Sequence, residues 1–276
     1  MIQALMSLDA PLKNGWRGLF SPATSSDSDS TASCIVIGID FGTTFTGVAY
    51  AFTDSLNQNE IRINSQTRNE LETVVEKITV LKQWPNASQQ FAEKTPTHLA
   101  YDSTNGKVVA WGGLVGPAHD TTIGGFKLGL HSGARYHYTT AAASRLGGFL
   151  GDANWRHPNL PSKTAVDFAA DYLALLGNHV MNEVLAQQFD ESFLRNKRVS
   201  FVLTVPAIWT DGAKDATRRA AVRAGIPPEQ LTLITEPEAA AHYCATICTE
   251  VNLEVGDYFI VCDAGGGTVV TFLCFH

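Results

Sequence analysis

The 276-residue sequence is poor in charge of either sign and has no basic excess. Lys, Arg, Asp and Glu make up 17% of it, below the roughly 25% that is usual for globular domains. Twenty basic residues stand against 27 acidic ones, so the formal net charge is −7. Because nucleic acids and anionic membrane surfaces are bound through basic patches, we expect neither as a partner.

Cysteine is scarce, and long apolar runs are missing. The five cysteines are an odd number without a CxxC pair, which predicts reduced, mostly buried thiols rather than a disulfide framework or a zinc site. No run approaches the ~18 apolar residues of a membrane span, and the first residues lack the basic region of a secretory signal. We therefore expect a cytoplasmic protein, with the nucleus as the alternative compartment.

The residues that are present predict an α/β protein behind an N-terminal tail. Residues 21–33 are a low-complexity run of Ser, Asp and Thr that cannot bury a core, so residues 1–33 are expected to be a disordered tail and order to begin at Cys34. Apolar residues at three- and four-residue steps predict a helix from Val166 to Val184, and further helices are expected at 211–224 and from 235 onwards. Strands are predicted at 34–40, 46–52, 99–102, 107–111, 198–205, 231–234, 258–263 and 269–275.

Two segments share one design. The sequence IGIDFGTT at 37–44 is an apolar strand that ends in Asp and turns through Gly and Thr, and IVCDAGGGT at 260–268 repeats it. A carboxylate at a strand end reaches a metal ion or its waters, while a glycine turn lets backbone N–H groups approach phosphate oxygens. One such turn is weak evidence, but two of them far apart in an α/β chain predict a phosphate chain held between two lobes.

This pair of turns resembles the two phosphate loops of the actin, hexokinase and heat-shock-seventy ATPase superfamily. The sequence between them is similar to the heat-shock-seventy chaperones, in particular to their divergent, lid-less fungal relatives. The similar blocks are KTPT at 94–97, FVLTVPAIW at 201–209 with the helix at 211–225, and LITEPEAAA at 233–241. The short sequences WP at 84–85, WG at 111–112 and FKL at 126–128 are similar to those of the fungal relatives.

The resemblance implies a domain organisation. Residues 34–256 would form the first lobe of an actin-like ATPase domain, which is ribonuclease-H-like and carries an insertion. Residues 257–276 would be the opening hairpin of the second lobe. Because the sequence stops at His276, before the adenosine-binding loop of the family, we expect the second lobe to be incomplete and the chain to be truncated.

The resemblance also implies ATP and Mg²⁺ as ligands, slow hydrolysis of ATP to ADP and phosphate, and client polypeptides or co-chaperones as partners. Asp40 would hold the metal through water, and Asp263 would be a second metal-shell carboxylate and a base. Lys127 would contact the γ-phosphate and the attacking water, and Glu236 would position metal and water. The residues implied around the phosphates are Gly42, Thr43, Thr44, Gly265, Gly266, Gly267 and Thr268.

Two glutamates at the start of the last predicted helix need separate interpretations. Thr235 and Glu238 have the spacing of a capping box, in which each side chain accepts a hydrogen bond from the backbone N–H of the other residue. The negative charge of either glutamate would also interact favourably with the positive end of the helix dipole. We assign Glu238 to the cap and Glu236 to the site.

One departure from the family pattern keeps two other functions open. The family usually has an aspartate two residues beyond the second glycine–threonine turn, and Val270 stands there. Loss of a supporting carboxylate typically costs 10–100-fold in metal affinity or activity, so hydrolysis is expected to be slow or absent. The alternatives are a non-catalytic interaction module and, with less support, a small-molecule kinase of the same superfamily.

Overall fold

The computed structural model describes residues 16, 34–53, 78–85, 93–131, 157–195, 197–247, 258–264 and 269–275. Within these ranges the fold is α/β, as predicted. The strands are β1 (Cys34–Phe41), β2 (Phe45–Thr53), β3 (Thr79–Val80), β4 (Lys94–Pro96), β5 (His98–Tyr101), β6 (Val108–Trp111), β7 (Thr121–Gly124), β8 (Arg198–Val205), β9 (Leu231–Thr235), β10 (Tyr258–Ala264) and β11 (Val269–Phe275).

The α-helices of the described ranges all lie in the second half of the chain. The first, α1 (Ala165–Asn178), continues through a π-helical segment, His179–Leu185, into the single turn α2 (Ala186–Gln188). The others are α3 (Glu191–Arg195), α4 (Asp211–Arg223) and α5 (Glu236–Ile247). None of the helices in the described ranges combines the length and apolar character that a membrane span requires.

The main sheet has the order β3-β2-β1-β8-β9, and β4 also pairs with β2. The pairs β1–β2, β2–β3 and β2–β4 are antiparallel, whereas β8 runs parallel to β1 and β9 parallel to β8. A second sheet has the order β6-β5-β7, and the hairpin β10–β11 forms a sheet of its own. The proposed division into a lobe at 34–256 and a hairpin at 257–276 stays a prediction.

The core lies between the main sheet and the helices. Every second residue of β1 is buried, from Ile35 to Phe41, which is the alternation that a half-buried strand requires. Helix α1 packs along α4 and begins with a full capping box, in which the Thr164 and Asp167 side chains each accept from the other's backbone N–H. The helix is therefore fixed at its N-terminus by local polar bonds and along its length by apolar packing.

Several local predictions need correction. The N-cap of α4 is Thr210, whose hydroxyl accepts from the Ala213 N–H, and Asp211 is the first helical residue. Strand β4 was not predicted, and it forms because residues 94–96 pair with β2. The thiols of Cys244 and Cys262 are exposed, so the prediction of buried thiols is wrong for these two, and Cys34 is half-buried.

Trp16 belongs to the core, although it lies within the predicted disordered tail. Its indole is buried and meets the Phe201 ring edge-on at 5.2 Å between centroids. It also covers Gly177 of α1, where a Cβ atom would lie 2.6 Å from the Trp16 Cε2 atom. Order therefore does not begin at Cys34, and the rest of the predicted tail lies outside the described residues.

Candidate functional site

The carboxyl ends of three parallel strands lie side by side in the main sheet. Strands β1, β8 and β9 end at Phe41, Val205 and Thr235, and their mutual register places these ends together. The loops that follow the carboxyl ends of parallel strands form the crevice in which α/β proteins bind their ligands. We call this region, made by Asp40 to Thr44, Pro206 and Glu236, the carboxyl edge.

The turn between β1 and β2 is held tightly. A Cβ atom on Gly42 would lie 2.0 Å from the carbonyl oxygen of Phe45, so the turn cannot close around a larger residue. The Thr97 N–H donates to the Thr44 carbonyl at 2.8 Å, and the hydroxyls of Thr46 and Thr97 are 2.9 Å apart. The turn is thus a fixed glycine-threonine element at the carboxyl edge.

Asp40 precedes this turn and has both carboxylate oxygens engaged. Its Oδ1 accepts from the Thr204 hydroxyl at 3.2 Å, and its Oδ2 accepts from the Lys94 Nζ at 2.6 Å. The side chain is 45% exposed. Strand β8 supplies Thr204 and strand β4 supplies Lys94, so neighbours on both sides of β1 orient the carboxylate.

The donor set at Asp40 fits a magnesium ion that is bound together with phosphates. Mg²⁺ is usually held by one or two carboxylates while it keeps several waters and takes phosphate oxygens as further ligands. A half-exposed carboxylate beside a glycine turn would provide the first of these ligands. The described part of the chain contains no group of three or more His, Cys, Asp or Glu side chains that would hold a metal without such help.

Lys127 and Glu236 form a buried ion pair. Lys127 Nζ donates to Glu236 Oε1 at 2.5 Å, and the two side chains are 3% and 16% exposed. The ammonium also lies 5.7 Å from the centroid of the Phe41 ring and 5.6 Å from that of Trp209. A lysine charge so far from water needs an opposite charge and polarisable neighbours, and this site provides both.

The two glutamates at the start of α5 have different roles. Glu238 Oε2 accepts from the Thr235 N–H at 3.4 Å and from its hydroxyl at 3.3 Å, while the Glu238 N–H donates to the Thr235 hydroxyl at 3.3 Å. This is the reciprocal capping box that the spacing predicts. The assignment of Glu238 to the cap is confirmed, and Glu236 is left to pair with Lys127.

The second glycine turn lies mostly outside the described residues. The backbone of Asp263 lies in β10 opposite Val270, but its side chain is outside the described part of the structure. Gly265, Gly266, Gly267 and Thr268 also lie outside the described residues. The structure therefore brings the β1–β2 turn, Asp40 and the Lys127–Glu236 pair to one edge, and the roles of the second turn stay predictions.

Three residues that contact Asp40 or Lys127 were not predicted as site residues. Lys94 appeared only as part of the KTPT block, and Thr204 and Trp209 only as parts of a strand and its following loop. Lys94 and Thr204 meet Asp40 across strand pairings, and Trp209 meets Lys127 through a loop contact. A local sequence pattern holds no signal for such contacts, because each depends on the pairing or packing of distant segments.

Comparison with known proteins gives relatives of one kind. No family model matches the chain. It is 27% identical over 267 residues to heat shock 70 kDa protein 12A of Homo sapiens, covering 88% of this chain and 34% of that protein. It is 28% identical over 225 residues to heat shock 70 kDa protein 12B of Homo sapiens, covering 76% and 28%. A chaperone protein HscA homolog of Acinetobacter baumannii is 34% identical over 106 residues, covering 38% and 15%.

The chain spans about a third of the length of the 12A proteins that it matches, 34% for the human protein and 32% for the Mus musculus protein. The matched regions cover 88% and 85% of this chain. The similarity therefore extends over most of the chain.

Proposed function

Because the chain is a relative of the heat-shock 70 proteins, with an actin-like ATPase type of α/β fold, we propose that it binds ATP at the carboxyl edge. The observation that carries this proposal is the β1–β2 turn, where Gly42, two residues after Asp40, has no room for a Cβ atom. A turn of this kind exposes backbone N–H groups to phosphate oxygens. Thr43 and Thr44 add hydroxyl donors beside it.

The charges around the turn support an anionic ligand accompanied by a metal ion. Lys94 and Lys127 place two ammonium groups beside Asp40 and Glu236 respectively. A bound Mg²⁺ ion would neutralise phosphate oxygens, and Asp40 is the described residue that would hold it through water. The chain itself provides the fixed turn and the oriented carboxylate, which act by positioning.

Hydrolysis of the bound ATP is proposed to be slow. Phosphoryl transfer to water is accelerated mainly by positioning and by positive charge near the γ-phosphate. Lys127 is the implied source of this charge, but Glu236 neutralises it in an ion pair in which the lysine is only 3% exposed. Lys127 must leave Glu236 before it faces a phosphate, and Val270 stands where the family usually has a further carboxylate.

A chaperone-like role with client polypeptides or co-chaperones is proposed from the sequence similarity to these relatives. Relatives are named heat shock proteins, and one is named a chaperone protein. A non-catalytic interaction module is the second candidate, and the closed Lys127–Glu236 pair favours it. In that case the pair would serve stability, and nucleotide would not alter the chain.

Isothermal titration calorimetry of the folded chain with ATP and Mg²⁺ tests the proposal. We expect saturable binding that Asp40→Ala weakens at least tenfold, since a charge-assisted contact is worth about 1.5–3 kcal/mol. Asp215→Ala is the matched control, because Asp215 pairs with Arg219 on an exposed face of α4. Absence of binding by a folded chain would contradict ATP binding and support the interaction module. Phosphate release from the ATP-bound chain then measures hydrolysis separately.

A further inference from the structure

Asp40, Gly47 and Lys94 lie in one row across three adjacent strands. In the antiparallel pair β1–β2 the residue opposite Asp40 is Gly47, and in the pair β2–β4 the residue opposite Gly47 is Lys94. Neighbouring strands are about 4.8 Å apart, so the lysine and the aspartate start about 10 Å apart. The Lys94 side chain crosses β2 and donates to Asp40 Oδ2 at 2.6 Å.

Gly47 leaves the space that this crossing needs. A Cβ atom at Gly47 would lie 3.3 Å from Lys94 Cγ and 3.6 Å from Lys94 Cε. A Cβ atom there would therefore require the lysine stem to shift by a few tenths of an ångström. The row therefore combines the ammonium group of Lys94, the space above Gly47 and the carboxylate of Asp40 next to the β1–β2 turn.

The Lys94–Asp40 pair is open to water, in contrast to the buried Lys127–Glu236 pair. The Lys94 and Asp40 side chains are 52% and 45% exposed, and ion pairs with this exposure are weak. The Lys94 ammonium sits on the carboxylate oxygen that a magnesium ion and its waters would use. It is thus a cation that a metal can displace and that lies within reach of a phosphate at the turn.

We propose that Lys94 is a nucleotide-binding residue that substitutes for part of the magnesium charge at the β1–β2 turn. Without nucleotide it neutralises Asp40, and with nucleotide it pairs with phosphate oxygens. Magnesium and Lys94 then compete for Asp40, so the chain retains nucleotide affinity when magnesium is removed. This inference rests on the proposed ATP binding and adds a specific dependence on the metal.

The test is ATP affinity, measured by titration calorimetry in excess Mg²⁺ and again in EDTA, for the full chain and three variants. Lys94→Gln removes the charge and keeps most of the length, and Lys94→Arg keeps the charge. Lys82→Gln is the matched control, because Lys82 is 47% exposed and pairs with Glu93 instead. Both positions are exposed enough for the variants to fold, and circular dichroism checks this.

We expect Lys94→Gln to lose about tenfold in affinity in EDTA, the value of one charge-assisted contact, and less than about threefold in Mg²⁺, where the metal supplies the charge. Lys94→Arg and Lys82→Gln should behave like the unchanged chain. Equal losses of Lys94→Gln in both conditions, or no loss in either, would overturn the role of Lys94 while ATP binding stands. Failure of the unchanged chain to bind ATP in both conditions would instead overturn the proposed function.

Discussion

Lys127 and Glu236, 109 positions apart in the sequence, form an ion pair of 2.5 Å in which the lysine is 3% exposed. The pair connects the turn before the short 3₁₀-helix Leu128–Leu130 to the first residue of α5. It therefore fixes the carboxyl edge from two distant segments. A buried pair of this kind adds little net stability by itself, but loss of one partner strands a charge in the interior.

The first prediction compares the two glutamates of α5. Glu236→Ala should lower the free energy of unfolding by about 3 kcal/mol, because Lys127 is left buried without its counter-charge. Glu238→Ala, the matched control on the exposed side, should cost about 1 kcal/mol, the usual value of a lost cap. Chemical denaturation measures both values. Lys127→Met in the Glu236→Ala background should recover most of the loss, and equal costs for the two single variants would contradict the assignment.

The second prediction concerns the tight turn. Gly42→Ala should destabilise the chain by about 1–3 kcal/mol, because the new Cβ atom cannot remain 2.0 Å from the Phe45 carbonyl oxygen and the turn must open. Gly38→Ala in the preceding strand β1 is the control, since its Cβ atom would lie 3.8 Å from the Ala49 carbonyl oxygen. Denaturation curves decide between them. A Gly42→Ala variant as stable as Gly38→Ala would show that the turn is not closed as described.

The third prediction tests the burial of Trp16 with a double-mutant cycle. Trp16→Ala should cost about 3–5 kcal/mol, as large-to-small changes of aromatic core residues do. Gly177→Ala should also destabilise the chain, since its Cβ atom would lie 2.6 Å from the indole.

In the Trp16→Ala background, Gly177→Ala should become stabilising by about 1 kcal/mol, because the obstacle is gone and alanine favours a helix. The sign reversal is measured by denaturation of the four proteins in the cycle. Additive effects would mean that Trp16 does not cover Gly177.

The fourth prediction is a pH dependence at the start of α1. Burial alone would raise the pKa of the Asp167 carboxyl, but hydrogen bonds from the Thr164 hydroxyl and N–H, together with the nearby Arg223 guanidinium, hold that pKa below its usual value. A carboxyl with a lowered folded-state pKa stabilises the fold above its unfolded-state pKa of about 3.9 and loses this contribution as the pH falls through the folded-state value.

Asp167→Asn should therefore cost about 1 kcal/mol at pH 7, and the difference from the unchanged chain should shrink as the pH is lowered below about 4. Denaturation midpoints between pH 7 and pH 3 measure this. Asp215→Asn, on the exposed face of α4, is the control and should follow the unchanged chain at every pH. A difference for Asp167→Asn that stays constant with pH would contradict the prediction.

Local patterns in the sequence predict the elements of the carboxyl edge well. The apolar run of β1, the strand-glycine-threonine turn and the capping box at Thr235 and Glu238 each depend on residues a few positions apart. The contacts between elements are a different matter. Lys94 reaches Asp40 only because β4 pairs with β2 across Gly47, and Trp16 reaches α1 only through the assembled core. The π-helical segment after Asn178 could not be predicted from the sequence either, since its residues continue the same helical periodicity.

The most direct test of ATP binding at the carboxyl edge is the unfolding temperature of the chain with increasing Mg-ATP, measured together with Asp40→Ala. Ligand at about 100 times its dissociation constant adds about 2.7 kcal/mol to the free energy of unfolding. We predict a clear rise in the unfolding temperature of the unchanged chain and little or no rise for Asp40→Ala. A cooperatively unfolding chain whose midpoint does not move with Mg-ATP would contradict the account.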